Sequence, residues 1–353
     1  YTNLNKNIKI NDMTPILKKK YNILTCFMFF IIFSYTNAQT KNLKEKTLNR
    51  FGFKEYSITT KKDTIYYYVH QKVNSKPNKV VIYLQGTTSI PEPFFEVEKT
   101  ENGYKYFQYF SSDYNLLNEE YIYVIISLPG TPVVKGFGTL NLQKYNNLNT
   151  LDYRVFASDT VINHITSHLL KPKKIIIYGH SEGAFVAPKL ATINKKITHL
   201  GVWGGSALPD FFDFILFDRK SNLRNEQSDS ITQENINQTI NLFKVIAKDS
   251  LNAMPAYKNE ITEYTNKRWW SYAEPTINHL IKIDIPIYIQ LGTEDESSPI
   301  ESNYLIPLEF IRLGKKNLSF NVCIGCDHGF KNVKTNKENW SDIFKKFIKW
   351  TEK

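Results

Sequence analysis

Apolar residues along this chain fall into short unbroken runs and longer stretches with helical spacing, and the two alternate. Lys79 to Leu84 (Lys-Val-Val-Ile-Tyr-Leu) and Tyr121 to Ser127 (Tyr-Ile-Tyr-Val-Ile-Ile-Ser) are continuous runs of the kind buried on both faces of a parallel sheet. Lys174 to Tyr178, His199 to Trp203, Ile285 to Leu291 and Leu318 to Cys323 repeat the signature. Ahead of them, Phe53 to Thr60 and Thr64 to Gln71 carry β-branched and aromatic residues around a short polar gap, which predicts an antiparallel pair. Asp152 to Leu170 places Val155, Val161, Ile162 and Ile165 on one helical face and Asp152 and Asp159 on the other. Ala184 to Thr192 starts another helix, and Phe344 to Trp350 lies in a closing amphipathic one. Strands alternating with helices predict an α/β fold class with a mostly parallel, doubly wound sheet.

The alternation breaks once. Between Gly205 and Ile283 no strand pattern occurs; Phe211 to Phe217, Thr232 to Ser250 and Tyr257 to Tyr272 read as helices, separated by polar stretches such as Ser221 to Ser230. At about eighty residues this is far longer than one crossover requires, so it reads as a helical insertion after the sixth predicted strand, placed to act as a lid, with ordinary crossover helices as the alternative. The chain then divides into an upstream segment (1–38), a first core part (39–204), the helical cap or lid (205–283) and a second core part (284–353).

The first segment resembles an export signal. Met13 is read as the start, Lys18, Lys19 and Lys20 form a basic n-region, Ile23 to Tyr35 is an apolar h-region, and Thr36-Asn37-Ala38 offers small residues before a cleavage point at Ala38/Gln39. This predicts an exported protein, periplasmic or secreted, with no stable membrane span after cleavage; an uncleaved N-terminal anchor is the alternative. Residues 1–38 hold five lysines and one aspartate, so processing lowers the formal charge from +11 to +7. The remaining lysines are scattered rather than clustered, which points to a solvated surface and away from nucleic-acid binding. Cys323 and Cys326 remain in Cys-Ile-Gly-Cys; one pair cannot build a four-ligand zinc site, and a close-spaced disulfide, free buried thiols or a redox centre stay open. No metal cluster, phosphate loop or nucleotide fingerprint is present, so no cofactor is expected.

Chemistry is carried by Gly179-His180-Ser181-Glu182-Gly183, a G-x-S-x-G lying between a predicted strand and a predicted helix. A serine in that turn is held exposed above the sheet edge. A serine hydroxyl is a weak nucleophile without a base, and the base needs a carboxylate to orient it. Downstream, Gly292-Thr293-Glu294-Asp295-Glu296-Ser297-Ser298-Pro299 follows one strand and Cys326-Asp327-His328-Gly329-Phe330 follows the next, so each candidate falls beyond a strand's C-terminal end.

With these three motifs in this order, the chain from Phe53 to Lys353 resembles an α/β-hydrolase. The resemblance implies Ser181 as nucleophile, Asp295 as orienting acid and His328 as general base; Glu294 and Glu296 compete with Asp295, and the glycine and proline spacing favours Asp295. It implies an oxyanion hole made by the N–H of Glu182 and one from the loop Gln85-Gly86-Thr87-Thr88, Thr87 first and Gly86 second. Gln85 departs from the His-Gly that similar enzymes usually carry there, which bears on loop geometry. His180 would have a packing role, and His70, His164, His168, His199 and His279 read as structural or exposed. Trp203, Trp269, Trp270 and Tyr272 line either an acyl pocket under a lid or ordinary packing. Glu182 resembles the corresponding position of bacterial esterases and peptidases of the superfamily, whereas Ala184 departs from their double glycine. The implied function is a serine esterase acting on a small-molecule substrate. A peptidase similar to the catalytic domain of the prolyl oligopeptidase group is the alternative, and a non-catalytic binding protein the third reading.

Overall fold

The computed structural model describes residues 43–86, 90–254 and 264–353. The expected leader, the start at Met13 and the cleavage point lie outside these residues. A helix α1 (43–50) leads into strands β1 (Phe53–Thr59), β2 (Thr64–Gln71) and β3 (Lys79–Leu84), followed by a hairpin of β4 (Phe95–Thr100) and β5 (Gly103–Gln108). Then come β6 (Tyr121–Ile126), a short β7 (Val134–Lys135), α2 (Leu142–Leu148) and α3 (Leu151–His164). The central crossover is β8 (Lys174–His180), α4 (Gly183–Ile193) and β9 (His199–Trp203). Among the described residues four helices follow: α5 (Asp210–Leu223), α6 (Asp229–Lys248), α7 (Asn266–Ser271) and α8 (Ile277–Leu280). The chain closes with β10 (Ile287–Gly292), α9 (Ile300–Asn303), α10 (Leu305–Arg312), β11 (Leu318–Cys323) and α11 (Trp340–Thr351).

The apolar runs form an eight-stranded sheet in the order β1-β2-β6-β3-β8-β9-β10-β11, antiparallel at β1/β2 and β2/β6 and parallel from β6 onward. Side-chain alternation divides its two faces. Val80, Ile82 and Leu84 of β3 join Ile175 and Ile177 of β8 in a largely aliphatic layer under α3 and α4. Val81, Tyr83, Tyr178 and Trp203 point the other way, into an aromatic layer closed by Phe344 and Phe347 of α11. Burying each such side chain stabilises by roughly 1.5–3 kcal/mol, so both helical layers are held chiefly by their apolar faces.

Topology decides where a ligand can sit. From β3 the chain moves to one side to make β6, then passes back across β3 to make β8 and continues outward through β9, β10 and β11. The connections after β3 and β8 therefore diverge, and the carboxyl ends of these two neighbours border a crevice.

Two features differ from the expectations. A second sheet, β5-β4-β7, is built from a hairpin, β4–β5, in the connection between β3 and β6 and from the short β7 that follows β6. Its hairpin is marked in the sequence by Asn102-Gly103, a turn dipeptide, with Gly103 at φ +123. The strand-free character of 205–283 holds among the described residues, and of the helix expected over Tyr257 to Tyr272 the described residues show the final part, Asn266–Ser271. There α7 begins only at Asn266, because Thr265 is extended and its side chain accepts the Arg268 N–H as a cap; the stretch from Tyr257 to residue 263 lies outside the described residues. Phe211, Ile246 and Trp269 join α5, α6 and α7 in a small core of their own. Trp203 is fully buried in the aromatic layer, so these tryptophans serve packing.

Candidate active site

Ser181 occupies the turn between β8 and α4 with φ +57, a left-handed conformation that costs an L-residue about 1–2 kcal/mol. The turn is held by close backbone approach. A Cβ on Gly179 would lie 1.9 Å from the Gly183 carbonyl oxygen, and one on Gly183 would lie 1.8 Å from that of Leu84. Only glycine at both positions lets β8, α4 and the end of β3 meet. Ser181 is fixed further by donating its N–H to the Trp203 carbonyl at 3.1 Å.

The candidate acid and base follow adjacent strands, β10 and β11. Asp295 follows β10 and is 2% exposed, while Glu294 and Glu296 beside it face solvent. Its Oδ1 accepts the N–H groups of Ser297 (2.7 Å) and Ser298 (2.8 Å), and its Oδ2 meets His328 Nδ1 at 2.8 Å. Only one of the three acidic candidates thus reaches the histidine. With Nδ1–H given to the carboxylate, Nε2 of His328 is left to accept a proton. The two loops are tied to each other: Glu294 N–H donates to the Cys326 carbonyl, Thr293 N–H to that of Cys323, and a disulfide joins Cys323 to Cys326.

Ser181 and His328 line one cleft of about 410 Å³. Among the described residues no hydrogen bond joins the two; such bonds are often long in free sites and tighten around substrate. His180 meets the His328 carbonyl through Nε2 at 2.9 Å and packs against the His328 ring and Trp340. Burial, with His328 nearby, pushes His180 down to about 3, so it stays neutral and braces the loop. The remaining histidines stand away from the cleft: His164 bonds Tyr67 and stacks on His168, His70 packs on Tyr114, His199 on Trp350, and His279 pairs with Glu274.

The two segments from which an oxyanion hole is expected approach each other at Ser181. Glu182 precedes the first turn of α4, where the helix dipole favours negative charge. Gly86 lies so near that a Cβ there would sit 2.8 Å from Ser181 Cβ and 3.2 Å from its Oγ. Thr87, the favoured second donor, lies outside the described residues. Gln85 turns its side chain away, donating from Nε2 to the Ile126 carbonyl at 3.0 Å.

The cleft walls were not anticipated. Tyr83, Phe94, Tyr109, Phe110 and Leu128 line it, and Phe94, Tyr109 and Phe110 flank the β4–β5 hairpin. A second, polar cavity of about 730 Å³ meets it at His328 and Ser297, walled by Phe217, Lys220 and Arg224 around the end of α5. The surroundings of the Glu182 side chain were equally unforeseen from the sequence. That carboxylate is 4% exposed and lies between Arg154 of α3 and Arg268 of α7, each 6% exposed. Burial alone would raise its pKa; Arg268 and Arg154 outweigh that and hold it below the usual range. Among the described residues no group of three or more His, Cys, Asp or Glu could hold a metal ion, and no helix is long and apolar enough to cross a membrane.

No protein-family model matches the chain, and no curated protein matches it by sequence. Solved structures do resemble it. Est1E from Butyrivibrio proteoclasticus is 13% identical with a TM-score of 0.51, over 84% of this chain and 98% of that one. The 2,6-dihydroxy-pseudo-oxynicotine hydrolase is 15% identical with a TM-score of 0.52, over 89% and 72%. Pyrococcus horikoshii acylaminoacyl peptidase is 12% identical with a TM-score of 0.52, over 85% of this chain and 41% of its own, so the chain spans about two fifths of that protein's length. Strand order, the strained serine turn and these likenesses together show that the chain has the α/β-hydrolase fold.

Proposed function

We propose that this protein is an exported serine hydrolase that cleaves a carboxylic ester through an acyl-enzyme on Ser181. The observation that carries the reading is the convergence on one cleft of a strained serine and a histidine whose Nδ1 is held by a buried aspartate. His328 Nε2 takes the Ser181 proton as Oγ attacks the ester carbonyl, and Asp295 stabilises the resulting imidazolium. The Glu182 N–H and one from the Gly86–Thr87 loop receive the developing oxyanion, each donor contributing about 10²–10³-fold in rate. His328 returns the proton to the departing alcohol. Water, activated by the same histidine, then releases the acid.

The aromatic walls suit an apolar acyl group, and the polar cavity beyond His328 would receive the leaving alcohol. A fluorophosphonate probe should label the wild type and not Ser181→Ala; a folded wild type that stays unlabelled overturns the reading. The peptidase alternative draws support from the likeness to the acylaminoacyl peptidase. It predicts faster turnover of aminoacyl or prolyl amides than of aryl esters, and the ester reading the reverse. Export is supported by the apolar segment Ile23 to Tyr35 and by a disulfide, a bond typical of oxidising compartments. Mass analysis of protein recovered outside the cytoplasm should find an N-terminus at Gln39.

A further inference from the structure

Glu182 supplies an oxyanion N–H from its backbone, yet its side chain enters a buried ionic cluster that the acyl-transfer chemistry does not use. Oε1 accepts from Arg154 Nη1 (2.8 Å) and Tyr272 Oη (2.9 Å); Oε2 accepts from Arg268 Nε (3.0 Å) and Nη2 (2.7 Å). Arg154 also reaches the end of β3, where its Nη2 donates to the Gln85 carbonyl at 2.6 Å. Gln85 immediately precedes Gly86, so one guanidinium spans the two arms of the oxyanion hole, at the residue after Ser181 and at the end of β3. A planar fork can hold both acceptors at a fixed spacing, which a lysine's point charge cannot. Arg268 brings the helical insertion to the same carboxylate, holding Asp210 of α5 at 3.3 Å and lying over the rings of Tyr264, Trp269 and Tyr272.

Stability gives little reason for this arrangement, because a buried ion cluster is often no more stable than well-packed apolar residues of the same volume. We infer that Arg154 is a positioning residue for the hydrolase reaction: it sets the separation of the two oxyanion arms, with Arg268 locking the shared Glu182 carboxylate from the insertion. The inference rests on the serine-hydrolase reading.

The test uses the full chain, with active sites titrated by a fluorophosphonate so that rates are expressed per competent site. Arg154→Met should lower kcat for an aryl ester by about 10²-fold, the effect of losing one oxyanion donor, and leave KM within a few-fold. Affinity for a trifluoromethyl ketone, which forms a tetrahedral adduct, should fall in parallel with kcat/KM. Arg154→Lys keeps the charge and loses the fork, so it should lie between Met and wild type; it carries the test if Arg154→Met does not fold. Tyr272→Phe, which removes one bond to Oε1 and keeps both arginines, should cost less than either. A purely structural role would lower the melting temperature and the titratable fraction while kcat per site stayed at the wild-type value in both Arg154 variants. That result overturns the inference and leaves the hydrolase reading intact, whereas an unlabelled wild type overturns both.

Discussion

Ser181 is where residue chemistry and backbone strain meet. Its φ of +57 is imposed by the approach of β8, α4 and β3, and the surrounding structure sustains the cost. Glycine adopts this conformation freely, so Ser181→Gly should be more stable than Ser181→Ala by about 1 kcal/mol, while the proposed function requires both to be inactive. Denaturant unfolding of the two variants checks this; equal midpoints would mean that the turn stores no strain. Gly179, Ser181 and Gly183 were legible as a motif, and Asp295 and His328 as residues following strands, because the proposed chemistry needs those types at strand ends. Arg154 and Arg268 were not. Each is a basic residue in a helical stretch whose carboxylate partner lies 28 or 86 positions away, and no local pattern announces such a pairing.

At the scale of elements, the six parallel strands and the helices wrapping them followed from apolar runs, since strands buried on both faces leave an unbroken signature. The β4–β5–β7 sheet escaped because Phe95 to Gln108 alternates lysine and glutamate with aromatics, giving a mostly exposed ribbon with little apolar contrast. Residues beside that ribbon wall the cleft in front of Ser181. Tyr109 is 47% exposed and lines the cleft, with its N–H fixed to the Phe94 carbonyl. Tyr109→Ala should therefore leave the melting temperature nearly unchanged. If the aromatic wall holds the acyl group, KM for an aromatic ester should rise by up to about tenfold, the value of one aromatic contact, with kcat retained. Unchanged kinetics would remove this wall from the binding surface. The insertion, which the pattern cast as a lid, borders the polar cavity through the end of α5.

Across the whole molecule, two sets of buried groups give stability opposite dependences on pH. Burial keeps His70 and His199 neutral by pushing each down to about 4, and His180 to about 3. The unfolded chain protonates them near 6.5, so their contribution is lost as pH falls from about 6.5 toward 4. Asp213 of α5 behaves in the opposite sense. It is 2% exposed, accepts the Ser206 hydroxyl at Oδ1, and is pushed up to about 8, chiefly by burial. The folded protein therefore keeps a proton there that the unfolded chain releases near 3.8, and stability declines as pH rises from about 4 to 8. Asparagine has nearly the shape of the protonated acid and cannot ionise. Asp213→Asn should match the wild type at pH 4 and exceed it at pH 8 by more than about 1.4 kcal/mol, the value of one pKa unit. Unfolding free energies measured at both pH values decide the point. A variant less stable at pH 8 than at pH 4 relative to wild type would mean that Asp213 is ionised in the folded protein and held by its hydroxyl partners.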